Sequence, residues 1–322
     1  MMPALNLNQR ALTLVERLAA DPEGYGIEVH RLENGVRWLD LGVNARGSLE
    51  AGRLFAEISM GGLGTVGFAP LTIGGRTLRG LTVQTDHPAA ACLASQAGGR
   101  TLRQPDYDVI LSGPGRALAA AQDAISVALG YGETAAAAVL CVEGRQPPSP
   151  AIAGRLAGAM GVAPESLTLL VAPTASLVGS VQVAARIVEV PLLKLHNLGF
   201  DTRQVLNGWG ACPLPPVAAD DVHAMGVTND AIMYGGQTHF VVRADDAVIA
   251  EYLPRVPASA AANYGAPFYD LMLAANFQFY ELDPLIFGPA QVAFNNVTSG
   301  HTMQAGRLAP EVVWRSFGFA PD

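Results

Sequence analysis

The chain has 322 residues, of which 50% are hydrophobic and only 15% are charged. This composition excludes a disordered protein and predicts a large buried core divided between about two domains. Twenty basic and twenty-eight acidic residues give a net charge of −8, and no Lys/Arg-rich run occurs, so a nucleic acid is not a predicted partner. Three distant cysteines argue against a disulfide framework and favour a reducing compartment, and we therefore expect a cytoplasmic protein.

The first predicted elements are a helix and two hairpins. Residues 6–20 carry apolar side chains at helical spacing, with Asn6 as the expected N-cap and Asp21-Pro22 as the end. Asn34-Gly35 separates two short apolar runs and suits a type I′ turn, which predicts a β-hairpin. A second hairpin is predicted around Gly74-Gly75.

The middle of the chain alternates between strand and helix patterns. The predicted pairs are 108–111 with 116–129, 136–142 with 149–160, and 167–172 with 176–198. The uncharged stretch 166–185 has the length of a membrane span, but Pro173 and several polar residues interrupt it, so we predict a strand, a turn and a helix without a bilayer. Pro191 is expected to kink or break the last helix just after Glu189.

The C-terminal third is rich in proline and glycine interleaved with apolar residues, which indicates ordered loops. The predicted fold class is α+β, with two mixed α/β domains. In this division residues 86–189 form an inner domain inserted into a discontinuous outer domain of residues 1–85 and 190–322.

Three polar residues form the most informative pattern. Gln182, Arg186 and Glu189 share one face of a predicted helix that is otherwise apolar. Such a helix is usually buried, and buried charges are costly unless they are paired or serve chemistry. The stripe therefore indicates either a site or a buried ion pair between Arg186 and Glu189 that only fixes packing.

Other polar clusters have structural and functional interpretations. Ser112-Gly-Pro-Gly-Arg116 lies between a strand and a helix, where it could hold an anion or form an ordinary turn. Thr85-Asp86 is interpreted as a cap of the apolar segment that Ser95-Gln96 closes, and Thr228-Asn-Asp230 as a cap of the helix after it. The chain has no G-x-G-x-x-G fingerprint, no G-x-S-x-G elbow and no local histidine or cysteine spacing typical of a metal site.

The run from Ala172 to Glu189 resembles the methenyltetrahydromethanopterin cyclohydrolase family. Similar strings occur in order along nearly the whole chain, among them Met60-Gly-Gly-Leu-Gly64, Thr85 to Gln96, Ser112 to Leu118, Leu198-Gly-Phe-Asp201, Pro213-Leu-Pro-Pro-Val217 and Thr228-Asn-Asp-Ala231.

The resemblance implies hydrolysis of the N5,N10-methenyl bridge of a tetrahydropterin one-carbon carrier to the N5-formyl compound, reversibly and without a metal or other cofactor. It also implies a cytoplasmic homotrimer of two-domain subunits, with the active site in the pocket between the domains. The catalytic pair of the family falls on Glu189, which acts on the attacking water, and on Arg186. Further candidates for binding the pterin substrate are Ser180, Gln182, Asp86, Ser95, Gln96, Arg116, Thr228, Asn229 and Asp230.

The chemistry of the substrate agrees with such a pair. The methenyl bridge is a delocalised amidinium cation that is already electrophilic, so an oriented water and a base suffice. Two other hypotheses stay open: a non-catalytic protein that binds or sequesters the reduced pterin carrier, and a scaffold in which Arg186 and Glu189 form a structural ion pair. The sequence does not distinguish folate from methanopterin carriers.

Overall fold

The computed structural model describes residues 5–97, 100–104, 107–277 and 281–320. The strands are β1 Glu28–Arg31, β2 Arg37–Asp40, β3 Gly64–Ile73, β4 Arg76–Thr85, β5 Arg100–Gln104, β6 Tyr107–Ser112, β7 Ala138–Glu143, β8 Leu167–Ala172, β9 Val205–Pro213, β10 Gln237–Val242, β11 Gln291–Asn296 and β12 Thr302–Gly306. The α-helices are α1 Leu7–Ala20, α2 Pro22–Tyr25, α3 Leu49–Ser59, α4 Ala124–Leu129, α5 Pro150–Ala159, α6 Leu177–Ala184, α7 Glu189–Leu198, α8 Asp221–Gly235, α9 Asp246–Tyr252, α10 Phe268–Ala274 and α11 Pro310–Ser316. Residues 89–96 form a π-helix.

The chain divides into two compact units, each containing a six-stranded mixed sheet within the described residues. The first unit comprises Met1–Thr65 and Ala89–Gln182, and the second comprises Val66–Pro88 and Val183–Asp322. Helices accompany both sheets, which confirms the predicted α+β class.

These units differ from the predicted grouping of 1–85 with 190–322. Residues 28–40 form the β1–β2 hairpin, and β2 pairs in parallel with β8, so that Leu39 lies opposite Leu170. The N-terminal segment is therefore bound by strand pairing to residues 167–172, which lie in the range predicted as the inner domain.

The sheet of the first unit has the order β1-β2-β8-β7-β6-β5. Its central pairs, β2 with β8 and β8 with β7, are parallel, and the outer pairs are antiparallel. Successive side chains of β8 enter different hydrophobic clusters: Leu170 packs with α1 and α3, whereas Leu169 and Val171 pack in the cluster that contains Ala153 and Ala157 of α5. Burial on both faces explains why this strand is apolar at consecutive positions.

The sheet of the second unit has the order β12-β11-β10-β9-β4-β3. Strands β10 and β11 are parallel, and β9 is antiparallel to both of its neighbours, β4 and β10. Phe240 and Phe294 are fully buried on adjacent strands and contact each other edge to face.

Both predicted hairpins form, but the first uses a different turn. Arg31 pairs with Arg37, and the amide of Gly35 donates to the carbonyl of Leu32 at 2.9 Å. Gly35 has a φ of 86°, whereas Asn34 is not among the positive-φ residues, so a type I turn followed by a glycine bulge replaces the predicted type I′ turn. At the second hairpin Gly74 and Gly75 both have positive φ, as type I′ requires.

Three predicted helix ends or caps differ from those in the structure. Asn6 precedes α1 but makes no side-chain cap, and the carboxylate of Glu133 instead accepts from the amide of Leu7 at 2.6 Å. The predicted helix 116–129 is a 3₁₀ segment ending at Gln122, followed by α4, whose N-cap is Asp123. Thr228-Asn-Asp230 lies inside α8, which Asp220 caps.

The described part of the chain contains no helix that is long and apolar enough to cross a membrane. The strand and helix predicted for 166–185 are present as β8 and α6.

Candidate active site

The segment that carries the polar stripe is not one continuous helix. Helix α6 ends at Ala184, residues Ala185–Ile187 form a 3₁₀ turn, and α7 begins at Glu189. The predicted break is therefore present, but it precedes Glu189 instead of following it. Pro191 has no amide hydrogen to donate to the carbonyl four residues earlier, which is that of Ile187, so the interruption lies in the turn before the proline.

Packing against the second sheet explains the break. A Cβ at Gly208 would lie 2.6 Å from Val188, and one at Gly210 would lie 2.8 Å from Ile187, so β9 admits the turn only because it carries glycines there. The hydroxyl of Thr238 on β10 donates to the carbonyl of Ile187 at 2.7 Å. The turn is thus fixed to two neighbouring strands.

Helix α7 is anchored further along by Lys194. Its buried ammonium donates to the backbone carbonyls of Pro257 and Leu285. Burial lowers the pKa of Lys194 to about 7. These contacts fix the helix that begins with Glu189.

The structure brings Arg186 and Glu189 together. Nη1 of Arg186 lies 3.6 Å from Oε2 of Glu189, and the two side chains are 11% and 3% exposed. A 3₁₀ turn places residues i and i+3 nearly above one another, so the pairing predicted for an α-helix survives the change of helix type. The result is a buried glutamate with an arginine guanidinium beside it.

Gln182 belongs to a different group of side chains, within the first unit. Its Nε2 donates to Oε2 of Glu143 at 2.9 Å, and the hydroxyl of Thr174 donates to Oε1 of the same carboxylate at 2.5 Å. Glu143 ends β7, and Thr174 follows the end of β8, so both lie where neighbouring parallel strands finish. Ligand sites in open α/β sheets form at this edge.

The sequence did not identify Glu143 as a site residue. Its position as the one charged residue of the apolar run Ala138–Glu143 was a usable signal. The partnership with Gln182 required knowing that β7 and β8 are neighbours.

The start of α6 is built to deliver Gln182 to this edge. The hydroxyl of Ser176 donates to the carbonyl of Pro173 and accepts from the amide of Gly179, which caps the helix. A Cβ at Gly179 would lie 2.2 Å from the Pro173 carbonyl oxygen, so only glycine permits this approach. Ser180, also predicted as a binding residue, is buried in the same helix.

The guanidinium of Arg116 forms hydrogen bonds with other residues of the protein. It donates to Asp123 at 2.6 and 3.1 Å and to the carbonyls of Leu93, Ser95 and Ala97 at the end of the π-helix. Asp123 is 7% exposed, and its pKa stays below the usual value because hydrogen bonds and the charge of Arg116 outweigh burial. These contacts support a structural role for Arg116.

Two more predicted residues lie on the same π-helix. Ser95 is fully buried, and its hydroxyl donates to the carbonyl of Ser59 at 2.6 Å. Gln96 is also buried. π-Helical turns are rare and occur often at functional sites.

The remaining predicted residues lie in the second unit with protein partners of their own. The carboxylate of Asp86 is exposed and accepts a hydrogen bond from the side-chain amide of Asn207 at 2.6 Å. Thr228 and Asn229 donate to backbone carbonyls of the preceding turn of α8. The carboxylate of Asp230 accepts from the amide of Phe268 and from the hydroxyl of Ser316.

Within the described residues Glu28, His30 and Asp40 bring potential metal-ligand atoms within 4.8 Å of one another. Asp40 is already used, because its two oxygens accept from the backbone amides of residues 42–45. The hydrogen bonds of Asp40 therefore indicate that it stabilises the turn at residues 42–45 and not a bound cation.

Comparison with known proteins identifies the family of the chain. The family model described as Cyclohydrolase (MCH) matches residues 6–317. A protein of Methanospirillum hungatei is 40% identical over 315 residues, covering 98% of this chain and 99% of that protein. Relatives from Methylobacterium organophilum, at 41% over 316 residues and 97% of both chains, and from Methanocaldococcus jannaschii, at 40% over 319 residues, 98% and 99%, are similar to the same extent. All three are named methenyltetrahydromethanopterin cyclohydrolase. By family match and by full-length identity, the chain belongs to the methenyltetrahydromethanopterin cyclohydrolase family.

Proposed function

We propose that this protein hydrolyses N5,N10-methenyl-tetrahydromethanopterin reversibly to the N5-formyl compound. Family membership supports the reaction class. The observation that supports the site is the buried carboxylate of Glu189, 3.6 Å from the guanidinium of Arg186 at the start of an anchored helix.

Glu189 acts as the base in the proposed mechanism. A water attacks the amidinium carbon, forming a C–O bond, and Glu189 accepts a proton from that water. The tetrahedral adduct then breaks its bond to N10, which is protonated as the formyl group forms on N5, and one proton is released to solvent overall. Because the bridge carbon is already cationic, the base and the position of the water supply the catalysis.

Arg186 balances the charge of this base. Its guanidinium carries only hydrogen-bond donors and can donate to the water or to the developing adduct oxygen. The carboxylate offsets the repulsion between this cation and the cationic substrate.

The test is the substitution Glu189→Gln, which removes the base and keeps the side-chain size. We expect kcat to fall by about 10²–10⁴-fold, the usual contribution of general base catalysis, measured from the loss of methenyl absorbance. Glu57→Gln is the matched control, because Glu57 is also a buried glutamate paired with an arginine, Arg53, at 2.8 Å.

Three outcomes distinguish the hypotheses. Full activity of Glu189→Gln would remove Glu189 from the mechanism. A large loss of thermal stability in that variant, without a selective loss of kcat, would assign the pair a packing role. Tight binding of the methenyl compound by the unmodified protein without turnover would instead support a non-catalytic pterin-binding protein.

We further propose that the enzyme works in the cytoplasm as a homotrimer and without a metal or other cofactor. The electrophilic substrate supports the absence of a Lewis acid, and the resemblance of the sequence supports the trimer. Activity after dialysis against a chelator and the mass in light scattering test these two proposals.

A further inference from the structure

We propose that Thr238 is a positioning residue, whose hydroxyl holds the carbonyl of Ile187 and thereby sets the spacing of Arg186 and Glu189. This inference rests on the proposed function, because it concerns the base of that reaction. These four residues all belong to the second unit. Thr238 acts through the turn that carries the catalytic pair, and not by contact with the substrate.

The start of α7 lacks one helical donor. In a continuous α-helix the amide of residue 191 would donate to the carbonyl of residue 187. Residue 191 is a proline without an amide hydrogen, so this bond cannot form. The hydroxyl of Thr238 donates to the carbonyl of Ile187 at 2.7 Å. A side chain from a neighbouring strand therefore takes the place of the missing amide.

The sheet holds this hydroxyl in a fixed position. Thr238 and Ile187 are 1% and 0% exposed, and Thr238 pairs with Gly210 on one side and with Val292 on the other. A Cβ at Gly210 would lie 2.8 Å from the side chain of Ile187. The paired residues Thr238 and Gly210 thus contact the carbonyl and the side chain of Ile187 respectively. Because threonine is β-branched, few rotamers are open to its hydroxyl.

The carbonyl of Ile187 belongs to the middle one of the three peptide groups that join Arg186 to Glu189. A peptide group is planar, so the direction of its carbonyl restricts the rotations that relate the two side chains. In the structure Nη1 of Arg186 lies 3.6 Å from Oε2 of Glu189. Without the hydroxyl the buried carbonyl would lose this donor, and a rotation of the turn towards another donor would move Glu189. A displacement of about 1 Å can lower a rate about 10²-fold.

The substitution Thr238→Val removes the hydroxyl and keeps the shape of the side chain. We expect kcat to fall about tenfold, because the base is displaced by less than 1 Å, with KM changed less than about twofold. Thr238→Ser keeps the donor and is expected to retain at least about half of the parent kcat. The contrast between these variants separates the hydrogen bond from packing.

Ser59→Ala is the control for the loss of a buried hydroxyl. Ser59 is 1% exposed, and its hydroxyl donates to the carbonyl of Ala56 at 2.7 Å in the first unit. We expect this variant to unfold at a lower temperature with kcat unchanged. A general loss of stability would therefore not imitate the effect expected for Thr238→Val.

The decisive measurement is a double-mutant cycle of Thr238→Val and Pro191→Ala, with kcat, KM and unfolding temperature recorded for the four proteins. Pro191→Ala supplies the missing amide, and a carbonyl oxygen can accept from this amide and from the Thr238 hydroxyl together. If Thr238 acts through the carbonyl of Ile187, Thr238→Val will lower kcat by less than about threefold in the Pro191→Ala background, against about tenfold in the parent.

The opposite results overturn the proposal. Full kcat in Thr238→Val would do so, and equal losses with and without Pro191→Ala would show that the hydroxyl does not act on the carbonyl of Ile187. If Thr238→Val does not fold, the cycle is run with Thr238→Cys, whose thiol is a weak donor and is expected to lower kcat about threefold; an unchanged kcat in that variant also overturns the proposal.

The failure of the proposed function has a different result. Absence of turnover by the unmodified protein would overturn the proposed function itself. An active protein in which Thr238→Val and Ser59→Ala have the same kcat would overturn only the role of Thr238.

Discussion

At the scale of single residues, the buried environment of Asp230 makes the stability of the fold depend on pH. Its side chain is 1% exposed, and burial raises its pKa to about 7, although hydrogen bonds from Ser316 and Phe268 act in the opposite direction. In the unfolded chain the same carboxyl titrates near 3.8. Between these values the folded state retains a proton that the unfolded state has lost.

Asp230 should therefore reduce stability as the pH rises from about 4 to about 7, because the unfolded state binds fewer protons in this window. Asp230→Asn, which can accept from Phe268 and never ionises, is expected to be more stable than the parent at pH 8 by on the order of 1–3 kcal/mol, with the difference vanishing near pH 4. Urea unfolding of both proteins across this range measures the difference.

Asp220→Asn on the same helix is the control for this prediction. The pKa of Asp220 is lowered by hydrogen bonds from the backbone and side chain of His223, so its stabilising contribution is present above its unfolded value and is lost as the pH falls. Asparagine caps helices as well as aspartate does, so the change isolates the charge. The effect of pH on this variant should have the opposite sign, and a flat difference for Asp230→Asn would contradict the assignment.

At the scale of elements, the beginning of α6 depends on one glycine. A Cβ at position 179 would lie 2.2 and 2.3 Å from the carbonyl oxygens of Pro173 and Thr174, which are backbone atoms and cannot rotate aside. Gly179→Ala is expected to lower the free energy of unfolding by about 3 kcal/mol or more and to reduce kcat, because α6 continues directly into the turn that carries Arg186.

Gly158→Ala in α5 provides the comparison, since a Cβ there meets no heavy atom within 4 Å. This change should stabilise the protein by about 0.5–1 kcal/mol, the normal preference for alanine in a helix, and leave kcat unchanged. Thermal unfolding and the absorbance assay measure both variants. Similar effects from the two substitutions would show that the close approach at Gly179 is not required.

The break between α6 and α7 shows what the sequence could not predict. Apolar periodicity correctly placed Arg186 and Glu189 on one face, and the strand 167–172 was predicted with its observed bounds. The periodicity contains no information about β9, whose glycines at 208 and 210 admit Ile187 and Val188 and thereby favour a 3₁₀ turn. Pro191, the visible signal, correctly predicted a break, but the break was placed after Glu189, whereas a proline acts on the carbonyl four residues earlier, here that of Ile187.

The same limit applies to the polar network of the first unit. Glu143 and Gln182 are 39 residues apart and meet because β7 and β8 are adjacent and α6 follows β8. Arg116 shows the reverse case: its sequence context left an anion site and an ordinary turn open, but the carbonyls that it binds lie at the end of a helix whose π-helical form no local pattern indicated. Local spacing predicts partners one turn apart, whereas partners across strands require the topology.

At the scale of the whole molecule, the order of elements along the chain is not the order of packing. The strand–helix alternation from 108 to 172 was a correct description of one sheet, but nothing in it indicates that a hairpin at 28–40 supplies β2, which lies beside β8, and β1 beyond it. Residues 66–88 belong to the second unit although both of their neighbouring segments belong to the first. A pairing of this kind is determined by tertiary contacts, which periodicity does not reveal.

Ligand linkage gives a prediction for the entire protein and addresses which carrier it uses. A ligand that binds only the folded state stabilises it by about 2.7 kcal/mol at a hundred times its Kd. The slow variant Glu189→Gln should therefore show a higher unfolding temperature in the presence of methenyl-tetrahydromethanopterin, while consuming it far more slowly than the parent protein. We expect a smaller shift with methenyl-tetrahydrofolate at equal concentration, because the proposed substrate is the methanopterin compound. Calorimetry of the variant with each carrier makes the comparison, and an equal or larger shift with the folate compound would contradict the assigned substrate while leaving the chemistry of the methenyl bridge in place.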